Sequence, residues 1–167
     1  VLVGYALAAA WVVADQVTKR WALATLQDGP VVAIEGFLRF RLTFNTGAAF
    51  STGQTMTEVL TVVSATVSVI LLVAIARAWS LRWGLALGLL LGGAAGNLVD
   101  RLTRPPGFGQ GAVVDFLELL RFPGLEFPVF NLADVGITTA ALSIVLLTTA
   151  RVPYREPVDG GDRPGRR

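Results

Sequence analysis

Cysteine and histidine are both absent from the 167 residues, and lysine occurs once, at Lys19. Without cysteine there is no disulfide, no thiolate nucleophile and no Cys-ligated zinc or iron-sulfur centre. Without histidine, Ser-His-Asp and Cys-His catalysis are excluded, as are the usual zinc sites and the one side chain that titrates near neutrality unaided. Acid-base chemistry therefore falls to carboxylates, Lys19, tyrosine or bound water. Charge is also scarce, at 16% of residues, and the net charge of +2 is too small to argue for a nucleic-acid partner. The pI near 9.7 largely reflects the arginines of the C-terminal tail.

In place of charge the chain has apolar length. Hydrophobic residues make up 53% of it, with a mean hydropathy of +0.62, above what a soluble domain of this size shows, so it reads as a membrane protein. Runs from Thr57 to Ala76, Leu81 to Val99 and Leu132 to Ala150 each approach the ~20 residues that cross a bilayer. A first helix is expected from Val1 through Trp21. The chain begins without Met, so residues upstream of Val1 are expected. Ala8-Ala9-Ala10 resembles a signal-peptide cleavage site, but no basic stretch precedes it and the apolar pattern runs on. Four spans place both termini on one side. The short link bearing Arg77 and Arg82 marks that side as cytoplasmic, together with Arg151, Arg155, Arg163, Arg166 and Arg167. Lys19, Arg20, Arg39, Arg41, Arg101, Arg104 and Arg121 balance them on the other side, so the orientation rests on the short link.

Between the first two spans, Asp28-Gly29-Pro30 is a turn, and Phe37 to Phe44 alternates apolar residues with Arg and Thr, which predicts a short sheet outside the bilayer core. Asn45 to Phe50 reads as a turn with small residues. Gly84, Gly88, Gly92 and Gly96 recur every fourth residue, a ridge against which another helix can pack closely. Gly92 to Gly96 lacks the spacing of a dinucleotide fingerprint. Residues 151–167, rich in Pro, Gly and charge, read as a disordered cytoplasmic tail.

Two carboxylates stand where charge is normally avoided. Asp115 follows Val113-Val114, and Asp134 lies about one turn inside a span with no other charge. Such a residue is a functional-site hypothesis. The alternatives are an N-cap at Asn131 with Asp134 as the acid of the first turn, and Asp115 as a loop carboxylate paired with Arg121. Asp15 and Lys19 share a helix face four residues apart, as an ion pair fixing a helix end or supporting a site. Asp100 continues the glycine face, Asn97 and Arg101 lie beside it, and Asp100 with Arg101 reads as an interfacial ion pair. Two other functions stay open. A Ser-Lys protease would use Lys19 and Ser51, although no Ser has a helical spacing to Lys19. A small carboxylate-dependent transporter would be expected to show paired halves, whereas spans two and four differ in polar pattern.

Five segments taken in order carry a family resemblance: Asp15-Gln16-Val17-Thr18-Lys19, Phe44-Asn45-Thr46-Gly47-Ala48-Ala49-Phe50, Gly96-Asn97-Leu98-Val99-Asp100-Arg101, Val114-Asp115-Phe116 and Phe130-Asn131-Leu132-Ala133-Asp134. Together they resemble the motif set of bacterial lipoprotein signal peptidase, or signal peptidase II. The resemblance implies an aspartic intramembrane protease that cuts prolipoproteins before their diacylglyceryl-modified cysteine. Asp115 and Asp134 match its catalytic pair. Asn45, Gly47, Asn97, Asp100, Arg101, Asn131 and Ala133 match residues that line or brace the site, and Asp15 with Lys19 matches a supporting pair. The implied fold is an all-α polytopic membrane protein with four transmembrane helices, a small extracytoplasmic β-sheet and a short helix. Residues 1–150 would form one peptidase domain in the bacterial inner membrane, with its site near the outer face. The implied partners are diacylglyceryl-modified prolipoproteins and membrane lipids. A monomer without metal or cofactor is expected, in which two close carboxylates share a proton and activate water.

Overall fold

The computed structural model describes residues 1–47, 53–120 and 127–155. Four long helices and three strands follow one another as α1 (Leu2–Thr25), β1 (Val31–Ile34), β2 (Leu38–Asn45), α2 (Gly53–Arg77), α3 (Leu81–Thr103), β3 (Val113–Leu119) and α4 (Leu132–Thr149). Among the described residues three helices are long and apolar enough to cross a membrane: α3, α4 and the Met56–Arg77 part of α2. α1 has 24 residues, or about 36 Å at 1.5 Å per residue. Its Asp15 and Lys19 are fully buried, while Val13, Val17 and Trp21 face outward. The short outer helix is not among the described elements. α1 and α3 both run one turn beyond their expected ends; in α3 the added turn carries Asp100 and Arg101, which are buried rather than turned to water.

α3 is the central helix and packs against α1, α2 and α4. Its glycine ridge faces α1. A Cβ at Gly88 would collide with the main-chain oxygen of Gly4, and one at Gly92 would lie 2.7 Å from the Cβ of Trp11. At Gly96 it would lie 2.6 Å from the Asp15 carboxylate, whereas at Gly84 it would meet open space. Gly93, one residue round the helix, makes room for Ala133 and Ile137 of α4. The outer surfaces of α2 and α4 expose Val62, Ile70, Leu142 and Leu146, a liability in water and the expected surface in lipid.

At the end where α1 begins, Ala8, Leu71, Ile75, Ala78, Leu87 and Leu91 form an apolar core. The first residues of the expected tail, within 151–155, pack against it. Tyr154 donates its hydroxyl to Ala74 O at 2.6 Å, and the indole of Trp83 donates to Val152 O at 3.0 Å. From 156 onward the tail lies outside the described residues. At the other end Ala22, Leu26 and Phe116 sit under the sheet with Phe40 and Leu42.

The sheet is antiparallel in the order β1-β2-β3. β2 forms where a strand is expected, but its burial does not alternate and its pairing with β3 shifts register between Phe40 and Thr43. Its Arg39 and Arg41 both reach Glu118 of β3, at 2.6 and 2.9 Å. The Arg39 hydrogen bond holds the Glu118 carboxyl below the usual glutamate range. Asp115 therefore lies on a strand, opposite Thr43, and not on a loop.

Candidate active site

β3 and the start of α4 bring Asp115 and Asp134 to the same place, and Asn131 joins them. Its side-chain Nδ2 donates to Asp115 Oδ1 at 2.6 Å, and its main-chain N donates to Asp134 Oδ2 at 3.1 Å. Asn131 is also the N-cap of α4, with its Oδ1 accepting from the Asp134 N–H at 3.0 Å, so the two residues form a reciprocal capping box. The capping alternative is thus real, and it orients Asp134 without occupying both carboxylate oxygens. The other oxygen, Oδ1, accepts from Asn97 Nδ2 at 2.9 Å. Asp115 Oδ2 accepts from Asn45 Nδ2 at 3.0 Å, where β2 ends. Asn45 uses its own Oδ1 to receive the N–H of Gly47, whose φ of 76° completes the turn.

Beneath the aspartates lies a buried ammonium. Lys19 Nζ is 2.8 Å from Asp15 and 2.9 Å from Asp100, and donates to Asn97 Oδ1 at 2.9 Å. Three donors meet three acceptors, which a lysine buried at this depth requires. Each carboxylate then reaches on to the backbone. Asp15 accepts the N–H of Ala133 at 2.9 Å and Asp100 that of Val114 at 3.1 Å. Those are the residues immediately before Asp134 and Asp115. Asp100 pairs with Lys19 and Arg104, not with Arg101 as the adjacent-residue reading has it.

Arg101 is buried beside the site. Its guanidinium donates to Asn97 O at 3.4 Å, its Nε has no hydrogen-bond partner among the described residues, and its charge faces Asp134, Asp100 and Asp115. Asp115 is buried, while Asp134 is half-buried on the wall of a cleft of about 460 Å³. Burial pushes the Asp115 carboxyl up to about 6; the Asn45 hydrogen bond opposes the shift and the neighbouring Asp134 adds to it. The cleft continues past Phe127, Phe130, Val135, Thr138 and Thr139.

All eleven residues singled out from the sequence are described, and hydrogen bonds or ion pairs link every one of them into this network. Ala48, Ala49, Ser51 and Arg121 lie outside the described residues. Gln16 was missed as a site residue. Its amide donates to Gly96 O and Asp100 Oδ1, both at 3.1 Å, tying α1 to α3; its place between Asp15 and Lys19 was the available signal. The cleft residues of α4 carried no sequence signal, since Val135, Thr138 and Thr139 are ordinary residues for an apolar helix.

Fold and site define a helical membrane protein in which two aspartates, drawn from a strand and a helix start, converge over a buried ion-pair cluster. The chain belongs to the signal peptidase II family: the family model described as signal peptidase (SPase) II matches residues 7–150. It is 45% identical over 135 residues to a lipoprotein signal peptidase of Rhodococcus jostii, covering 80% of this chain and 66% of that protein. It is 36% identical over 149 residues to one of Bifidobacterium longum, covering 89% and 79%. The chain thus spans a little under two thirds of the Rhodococcus relative's length. A solved bacterial membrane enzyme, determined by the in meso method at 1.9 Å resolution, is similar with a TM-score of 0.78 and 26% identity, over 89% of this chain and 93% of that one.

Proposed function

We propose that this chain is an aspartic endopeptidase of the bacterial membrane that removes signal peptides from diacylglyceryl-modified prolipoproteins, cutting before the lipidated cysteine. The observation that carries this reading is the convergence of Asp115 and Asp134 on Asn131, with one carboxylate buried and the other facing an open cleft. Asp115, whose carboxyl is pushed up to about 6, holds the shared proton and donates it toward the scissile carbonyl. Asp134 takes a proton from the attacking water as it adds to that carbonyl, then passes it to the leaving amine as the C–N bond breaks and the diol returns its proton to Asp115; the pair titrates as a unit. Arg101 supplies a cation beside both groups. Asn45, Asn97 and Asn131 orient the carboxylates, and Gly47 completes the turn that holds Asn45. Asp15, Lys19, Asp100 and Ala133 brace the site from below.

We further propose four spans, with α1 as the fourth, since its Asp15 and Lys19 are buried against α3, Val13, Val17 and Trp21 face outward, and the exposed Arg20 stands near its end. Both termini then lie in the cytoplasm, the sheet and site lie at the outer face, and residues 1–150 are the peptidase domain. Action as a monomer is part of this proposal. The deciding experiment is cleavage of a diacylglyceryl-modified precursor by the purified protein. Wild type should cut it, while Asp115→Asn and Asp134→Asn should each lose ~10²-fold or more and remain folded. Near-normal turnover by either variant would overturn the assignment.

A further inference from the structure

A second cleft lies at the opposite end of the bundle from the sheet. Near the site α1 and α4 touch: Trp11 Nε1 donates to Leu132 O at 3.1 Å, and Gly136 leaves room for the Trp11 ring. Toward the other end the two helices leave a space of about 520 Å³ floored by α3. Leu7, Leu85, Leu89, Ser143 and Leu147 line it, and Arg82 is the one charged residue on its wall. Arg82 makes no ion pair among the described residues. Stretches 1–14, 59–99 and 135–155 contain no Asp or Glu, so among the described residues the side-chain charge at this end comes from Arg77, Arg82, Arg151 and Arg155.

We propose that this cleft binds one anionic glycerophospholipid, with an acyl chain lying between α1 and α4 and the phosphate at Arg82. The apolar lining suits an acyl chain. A guanidinium pairs with phosphate oxygens through two parallel N–H donors. A cation-rimmed pocket between membrane helices is the arrangement that selects an anionic head group over a zwitterionic one. The inference rests on the membrane placement of the helices and not on the peptidase reading.

The test is native mass spectrometry of the full chain released from nanodiscs of mixed phosphatidylglycerol and phosphatidylcholine. Wild type should retain one phosphatidylglycerol in preference to phosphatidylcholine. Arg82→Gln should cut that preference about fivefold, and Arg82→Lys should restore part of it. Arg77→Gln, which removes a charge outside the cleft, should leave it unchanged. Ser143→Trp, which fills the cleft, should lose both lipids while near-ultraviolet circular dichroism shows the fold intact. Equal retention of the two lipids would overturn the proposal, as would equal losses in Arg82→Gln and Arg77→Gln. A second copy of the chain retained in place of lipid would overturn it too.

Discussion

Asp100 accepts the main-chain N–H of Val114 at 3.1 Å while its carboxylate stands 2.9 Å from the ammonium of Lys19. Asp15 repeats the arrangement with Ala133 at 2.9 Å. The lysine thus joins two struts, each ending one residue short of an aspartate of the candidate pair. Spacing between Asp115 and Asp134 is set from beneath, by groups that need never meet a substrate.

Lys19→Met should therefore do more than weaken the fold. It leaves two buried carboxylates without their shared cation, a loss of about 3–5 kcal/mol. Adding Asp15→Asn and Asp100→Asn removes those stranded charges and should recover much of the thermal stability. Turnover should stay low in the triple variant, with kcat falling more than KM rises. A triple variant that is both stable and fully active would show that the struts do not position the pair.

The glycine ridge makes a graded packing prediction. Gly84→Ala adds a methyl to open space and should change stability by less than about 0.5 kcal/mol. Gly88→Ala drives the same methyl against the backbone of Gly4 and should cost about 1–3 kcal/mol. Thermal unfolding in detergent compares them directly, and Gly88→Leu or Gly92→Leu should be worse still. Equal midpoints for Gly84→Ala and Gly88→Ala would mean that α1 yields freely.

Acidity offers a third test. The Asp115 carboxyl is raised from 3.8 to about 6 in the folded protein. Its contribution to stability is therefore fully present below about 3.8 and is lost as pH rises through about 6. Asp115→Asn should flatten that dependence, so the Tm of the variant minus that of wild type should rise between about pH 4 and pH 7. In activity, the same proton sets an alkaline limb of kcat/KM near pH 6 for the free enzyme. Asn45→Ala removes a donor that favours the ionised form, and should move the limb upward. An unshifted limb would assign it to another group.

Substrate choice follows from depth. A site at the membrane surface must receive its scissile bond there, and a diacylglyceryl group holds the adjacent cysteine by burying two acyl chains at ~0.8 kcal/mol per methylene. The unmodified precursor should be cut at least ~10²-fold more slowly, the scale of loss from a misplaced reacting bond. Gly47→Leu should also impair cleavage, because φ of 76° disfavours a side chain and Leu60 occupies the space behind it. Equal kcat/KM for modified and unmodified precursors would sink this account of recognition.

The membrane class, the three apolar helices, the glycine ridge and the identities of the candidate-site residues were legible in the sequence. Those are local properties: run length, a four-residue period, and motifs of three to seven residues. The sequence could also offer Asn131 and Asp134 as an N-cap and its acid, because that bond closes within three residues. Pairing beyond one helical turn was decided only by tertiary structure. Asp100 and Arg101 are neighbours in sequence but lie about 100° apart around the helix, so the partner of Asp100 is Lys19 on another helix. β3 escaped the alternation test because Val113 to Phe116 are all buried, with no wet face to mark the period. The link between Lys19 and Asn97 spans 78 positions, and that between Asp15 and Ala133 spans 118. No local pattern encodes contacts at such separations; they exist because glycines let α1 and α3 approach closely enough for a buried ammonium to reach both carboxylates.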